Sequence, residues 1–331
     1  MPGSNEMTAQ QLEEAKHYGR LDLICGLVDK LVDVGFLAAM AFLMARPLET
    51  WFHEFGILEA NRTLRLGAMF LITILLHMCL SFPLSFYSGH IVEHRFGLSN
   101  QTFGGWLWRY AKRNGLAVVF GLVMVVGLYW VIWLSGALWW LLAAALFFLV
   151  SVILGQLAPV VIMPLFYKIE KLKTDDLSVR FRRLAEGTGL SIEGVYRMVM
   201  SEETVKANAM LAGLGRTRRV ILGDTLLEKF SEDEIEVILA HEIGHHVHRH
   251  IRKLILVGVL YSVFGFWVCD RLLMAYTGFV AYGAMPVYSL PLFMFILTVL
   301  SILLEPLQNH IRNTFEAIKN DTSDPQLAEL L

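Results

Sequence analysis

Six apolar stretches, roughly residues 23–45, 66–88, 115–134, 137–160, 253–276 and 287–307, constrain this chain more than any other feature of it. Each is long enough, or nearly so, to cross a hydrocarbon core of about 30 Å at a helical rise of about 1.5 Å per residue. The composition agrees, with 56% hydrophobic residues and only 18% charged ones. The expected fold class is mainly α, a polytopic membrane helix bundle with a small α+β domain inserted between spans.

The first stretch is the weakest, because Asp22, Asp29, Lys30 and Asp33 crowd its early half. Either it starts among lipid headgroups, the placement preferred here, or those charges face a wet interior. Glu6, Glu13, Glu14 and Lys16 precede it, unlike the start of a cleaved signal peptide, so the span is expected to stay. The connections near residue 135 and over 277–290 hold no Lys or Arg, whereas 89–114 holds Arg95, Arg109, Lys112 and Arg113 and 161–252 is richer still. The positive-inside rule then makes the basic regions cytoplasmic. Residues 46–65 disagree mildly, carrying Arg46, Arg62 and Arg65 beside Glu49, Glu54 and Glu59. Trp106, Trp108, Trp130, Trp133, Trp139 and Trp140 read as an interfacial belt.

A net charge of −2 with scattered basic residues argues against a nucleic-acid partner. Cys25, Cys79 and Cys269 lie far apart in apolar surroundings and read as small hydrophobes.

Between the fourth and fifth stretches the composition turns soluble, which suggests divisions at 1–160, 161–252 and 253–331. A helix is predicted from Thr174 or Asp175 to Gly187, with Leu177, Phe181, Leu184 and Ala185 on one face. Three short runs, Val195 to Met200, Ala207 to Ala212 and Arg219 to Leu222, predict a small antiparallel sheet. Gly213-Leu214-Gly215-Arg216 lacks the ending of a phosphate loop and reads as a hairpin turn.

One stretch of this soluble region carries chemistry. His241 and His245 are four residues apart, so on a helix both imidazoles project from one face towards a single ion. With Glu242 between them they form the His-Glu-x-x-His signature, in which two imidazoles hold Zn²⁺ and the carboxylate takes a proton from water. Ser231 and Glu234 form a capping box, and Ile235, Ile238 and Leu239 follow at helical spacing, so the carrying helix should start near Glu232. His246, His248 and His250 read as a headgroup-facing collar rather than as ligands.

With these elements in place the chain resembles the type I CAAX prenyl endopeptidases and their prokaryotic relatives, integral-membrane gluzincin zinc metalloproteases. Phe82-Pro83-Leu84-Ser85-Phe86-Tyr87 and Ile91 to Thr102 look like that family's second-span exit and its Glu-x-x-Phe-Gly segment. Met163-Pro164-Leu165-Phe166, Asn208-Ala209, Ile221 to Leu226 and the zinc helix follow in the family's order. The resemblance implies His241 and His245 as zinc ligands, Glu242 as general base, and Glu316, ten residues after Pro306, as third ligand. Glu305 stays open as the alternative, because a carboxylate at the end of an apolar span also needs a partner. The resemblance further implies that the strand around Asn208 and Ala209 pairs with an extended peptide substrate.

Two departures qualify it. Ala317-Ile318-Lys319-Asn320-Asp321 replaces the family's Ala-Asp after the glutamate, so weak zinc retention or low turnover is expected; no His-Pro and Arg segment precedes Leu331, so either the chain is shortened at its C-terminus or this copy is impaired. The function expected is zinc-dependent hydrolysis of membrane-associated or CAAX-type lipidated peptides on the cytoplasmic side of the bilayer. The alternatives are a heat-shock-type membrane quality-control zinc protease and a non-catalytic zinc-binding membrane protein.

Overall fold

The computed structural model describes residues 8–172, 180, 192–212, 218–238 and 250–320, with the backbone alone over 250–255 and 311–320. The chain divides into two compact units, Met1–Trp140 with Trp267–Leu303 and Leu141–Phe266 with Leu304–Leu331. The helix expected from Thr174 to Gly187 lies outside the described residues, Arg180 excepted.

In the first unit, α1 (Ala9–Ala39) continues through a π-turn over Met40–Met44 into α2 (Ala45–Phe52). Short α3 (Gly56–Ala60) and long α4 (Arg62–Phe86) follow, then a π-turn over Tyr87–Val92, α5 (Glu93–Arg95) and α6 (Phe103–Ser135). Polar caps set the starts. Asn61 accepts hydrogen bonds from the Thr63 and Leu64 N–H groups, and Thr102 accepts one from Gly105 N–H. Gly136, at φ +62°, ends α6 in the left-handed region that favours glycine, and α7 (Trp139–Leu157) follows.

Among the described residues, four helical segments are long and apolar enough to cross a membrane: Arg62–Arg95, Phe103–Leu165, Leu256–Thr277 and Val287–His310. The second contains two of the expected stretches, parted at Gly136, so five of the six fall within these segments. The remaining stretch, 23–45, runs along α1 and through the π-turn to Ala45, and on α1 Leu23, Ile24, Leu27, Val28 and Leu31 form one exposed apolar stripe. Asp33, on the opposite side of the helix, sits 2.6 Å from His77 Nε2, at the middle of the 66–88 stretch. Asp33 thus faces a neighbouring helix.

One end of this unit gathers the loops between helices. Arg46 donates to Tyr276 O at 3.3 Å and lies over the Tyr276 and Tyr288 rings at 4.9 and 5.1 Å. Arg62 donates to Gly283 O at 2.8 Å and stacks on Trp133 at 4.0 Å, while Arg65 donates to the Leu58 and Glu59 carbonyls. Glu49 accepts the Val287 and Tyr288 N–H groups at 3.3 and 2.7 Å, capping the turn that enters the last helix. The arginines that ran against the charge rule are thus bound to carbonyls and aromatic rings.

The tryptophan belt also needs correction. Trp106, Trp133 and Trp139 are buried, and the indoles of the last two donate to Met285 O at 3.0 Å and Asp270 Oδ1 at 2.7 Å. A buried indole N–H needs an acceptor, and here the protein supplies it. Trp108 and Trp130 are exposed, as the belt requires.

The second unit holds a four-stranded sheet in the order β1-β2-β4-β3, with β1 (Lys168–Lys171), β2 (Ile192–Val199), β3 (Ala209–Ala212) and β4 (Arg218–Gly223). β1 and β2 pair antiparallel, as do β3 and β4, but β2 and β4 run parallel, so the sheet is mixed and not antiparallel throughout. The cause lies in β4. Val220 and Leu222 pack on one face with Val195, Leu226 and Ile235, and Ile221 packs on the other with Met198 and Met200. A strand buried on both faces takes the centre of a sheet, and β3, which precedes it, is left at the edge. Helix α8 (Asp224–Lys229) follows β4 directly, and α9 (His250–Thr277) and α10 (Leu290–Asn320) complete the described chain.

Candidate active site

The helix expected to carry the zinc motif begins as its sequence requires. Residues 232–238 are helical, the Glu234 N–H donates to Ser231 Oγ at 3.4 Å, and Glu234 Oε2 accepts the Ser231 N–H and hydroxyl at 2.8 and 2.9 Å. Those donors hold the Glu234 carboxyl below the usual range. Ile235 is buried in the sheet core and Ile238 packs against it, so this first turn is laid on the sheet. Arg180 reaches Asp233 at 2.7 Å, Glu236 at 3.2 Å and Glu232 at 3.9 Å. His241, Glu242 and His245 follow on in sequence and lie outside the described residues.

Glu305 and Glu316 both belong to α10, the latter within the part described by backbone alone. Eleven residues of helix separate them by about 16 Å along the axis. One metal ion therefore cannot take both carboxylates while that helix stays straight. Among the described residues, no group of three or more His, Cys, Asp or Glu side chains is arranged to hold a metal.

Asn208 and Ala209 lie on the sheet edge. Ala209–Ala212 pair with Arg219–Leu222, and Asn208 O accepts the Gly223 N–H at 2.8 Å, extending the ladder by one bond. On its other side β3 pairs with no strand among the described residues. Asn208 is exposed and β3 is half-buried.

Sequence reasoning missed the residue that builds this corner. Asp224 is 1% exposed, and its Oδ1 accepts the N–H groups of Met200, Ser201 and Thr225 at 2.9, 3.0 and 2.9 Å. Its Oδ2 accepts the Ser201 hydroxyl at 2.7 Å, and Arg197 lies 3.9 Å away. Burial pushes this carboxyl up, but the Ser201 hydroxyl and the three N–H donors outweigh it and hold the group below the usual range. The available signal was an aspartate directly after a continuously apolar run, where a buried strand turns into a helix.

Comparison with known proteins follows the same outline. Residues 3–168 match the CAAX prenyl protease N-terminal family, described by five membrane helices, and residues 171–319 match peptidase family M48. An uncharacterized metalloprotease of Bacillus subtilis, YhfN, is 29% identical over 268 residues, covering 80% of this chain and 62% of that protein. CAAX prenyl protease 1 of Saccharomyces cerevisiae is 31% identical over 184 residues, covering 54% of this chain and 40% of that protein. The chain thus spans less than two thirds of the length of either relative. The crystal structure of S. mikatae Ste24p superposes with a TM-score of 0.76 at 22% identity, over 93% of this chain and 75% of that one, which establishes a shared fold. The chain belongs to the CAAX prenyl protease family, with an M48 peptidase region following its membrane-helix region.

Proposed function

We propose that the protein is a zinc-dependent membrane endopeptidase that hydrolyses peptide bonds in membrane-associated or CAAX-type lipidated substrates. The observation that carries this reading is the His241-Glu242-x-x-His245 motif inside the M48 match, which follows in sequence on the capped helical turn that packs on the sheet. Two imidazoles and one carboxylate are the donor set that suits a catalytic zinc with an open position. His241, His245 and Glu316 would hold the ion, which when bound supplies Lewis acidity and a water of lowered pKa. Glu242 would take the proton of the attacking water and return it to the leaving amine. The β3 edge at Asn208 and Ala209 would hold the peptide extended across the site. The Lys- and Arg-bearing segments 89–114 and 161–252 support a site on the cytoplasmic side of the lipid bilayer.

The test is hydrolysis by purified protein with and without Glu242→Gln, read by mass spectrometry of the peptides released. We expect one zinc per chain in both proteins and turnover only in the unsubstituted one, because the change removes the base and spares the ligands. Turnover by a zinc-loaded Glu242→Gln protein would sink the mechanism. Zinc bound with no turnover in either protein would favour the non-catalytic alternative, which the missing Ala-Asp after Glu316 supports. Zinc affinity in Glu316→Ala and Glu305→Ala decides the third ligand.

A further inference from the structure

We infer that the β4–α8 corner is a positioning device that fixes the register of the β3 edge through Gly223, Thr225 and Lys229. The inference rests on the substrate role proposed for that edge. Residues 201–208 bring the chain from β2 to β3, and a single corner holds this segment at both ends. At its start, Asp224 takes the Met200 and Ser201 N–H groups. At its end, three successive donors of the corner take three carbonyls: Lys229 Nζ donates to Val205 O at 2.7 Å, Thr225 Oγ1 to Lys206 O at 2.9 Å and Gly223 N–H to Asn208 O at 2.8 Å.

The spacing of these bonds matters because β3 has only four residues and pairs with one neighbour among the described residues. A slip of one residue in so short a strand would exchange its two faces and turn every amide it offers to a partner the opposite way. Gly223 makes the fit close. A Cβ there would lie 2.6 Å from Met200 Sδ and 3.2 Å from the Asn208 carbonyl oxygen, a backbone atom with little room to move. A side chain at 223 would therefore displace the residue proposed to meet the substrate. None of the three positioning residues belongs to the proposed metal or base set, so the corner should govern peptide binding rather than the chemical step.

Steady-state kinetics of Thr225→Val and Thr225→Ser in the full chain separate positioning from general stability. The valine retains the shape and loses the donor, while the serine restores it. With an apolar peptide that the unsubstituted chain cleaves, we expect Thr225→Val to raise KM about fivefold to tenfold with kcat and zinc content unchanged, and Thr225→Ser to return KM towards the starting value. A second measurement avoids turnover altogether: in a Glu242→Gln background, Thr225→Val should weaken binding of the same peptide by the same factor. An unchanged KM in Thr225→Val overturns the inference, and so does a joint fall in kcat, KM and zinc content that serine does not rescue. A wild-type chain that binds and cleaves no peptide would instead sink the proposed function, and this inference with it.

Discussion

The loop end of the first unit and the Asp224 corner of the second solve one problem with opposite charges. Where helices and strands stop, backbone groups lose their partners, and a buried one left unpaired costs about 1–3 kcal/mol. At the loop end the orphans are mainly carbonyls, those of Tyr276, Gly283, Leu58 and Glu59, and arginines reach them from positions that keep some contact with solvent. At the corner one buried carboxylate collects three orphan N–H groups, beside the two carbonyls that Lys229 and Thr225 take. The first arrangement spreads its load over several side chains. The second concentrates it on one, and should fail more sharply.

The largest effect is expected for Asp224→Ala, which strands three N–H groups and a hydroxyl and should destabilise the second unit by about 3 kcal/mol. All eight tryptophans lie in the first unit, so their fluorescence should stay constant while hydrogen exchange quickens over 192–212. A fluorescence shift that tracked the exchange would break the contrast by coupling the two regions.

The same carboxylate gives a pH signature. Its folded pKa is depressed, so its contribution is present in full above its unfolded value of about 4 and is lost as pH falls through the folded one. Protection of 192–212 should therefore decline on acidification below about pH 4, and Asp224→Asn should flatten that limb. An unaltered acid limb in the asparagine variant would assign the transition to another group.

A smaller loss, about 1 kcal/mol, is expected for Arg62→Met, which gives up one carbonyl and the stack on Trp133 while Arg46, Glu49 and the Trp133 indole still hold the loop. Thermal denaturation in detergent, followed by tryptophan fluorescence, reads it, and a loss as large as that at Asp224 would show that the load is not shared. Smallest is Lys168→Gln on β1, an exposed pair with Glu170 at 2.6 Å that should leave the denaturation midpoint unmoved.

What the sequence disclosed follows from whether a signal was local. The capping box at Ser231 and Glu234 is set by neighbours within a few residues and stands where it was expected, and β3 and β4 pair antiparallel, while the turn expected at Gly213-Leu214-Gly215-Arg216 lies outside the described residues. The parallel pairing of β2 with β4 depends on both faces of β4 being covered, a tertiary outcome that Val220-Ile221-Leu222 hinted at by running apolar without alternation. Strand β1, reading Lys-Ile-Glu-Lys, carries no strand pattern and exists because β2 offers it an edge. The three buried tryptophans were misplaced because a belt residue and a core residue look alike until an acceptor is found. The candidate site shows the reverse balance. Two histidines and a glutamate state their chemistry in five residues, whereas the corner behind the edge depends on side chains up to 24 residues apart.

The pairing of Asp33 with His77 bears on how the protein enters its membrane. An aspartate at the centre of an inserting helix costs about 2.5–3.5 kcal/mol when it inserts alone. Its partner is translated 44 residues later, on α4. Were α1 to cross the bilayer, it would be a poor insertion signal by itself and a better one in the company of α4, and the two would be released laterally from the translocon as a hairpin. A nascent chain stopped at Asn61 should leave α1 extractable by alkaline carbonate, and one extended through Phe86 should hold it. Replacing Asp33 with leucine should let the short chain insert unaided, removing the dependence of the first helix on the second.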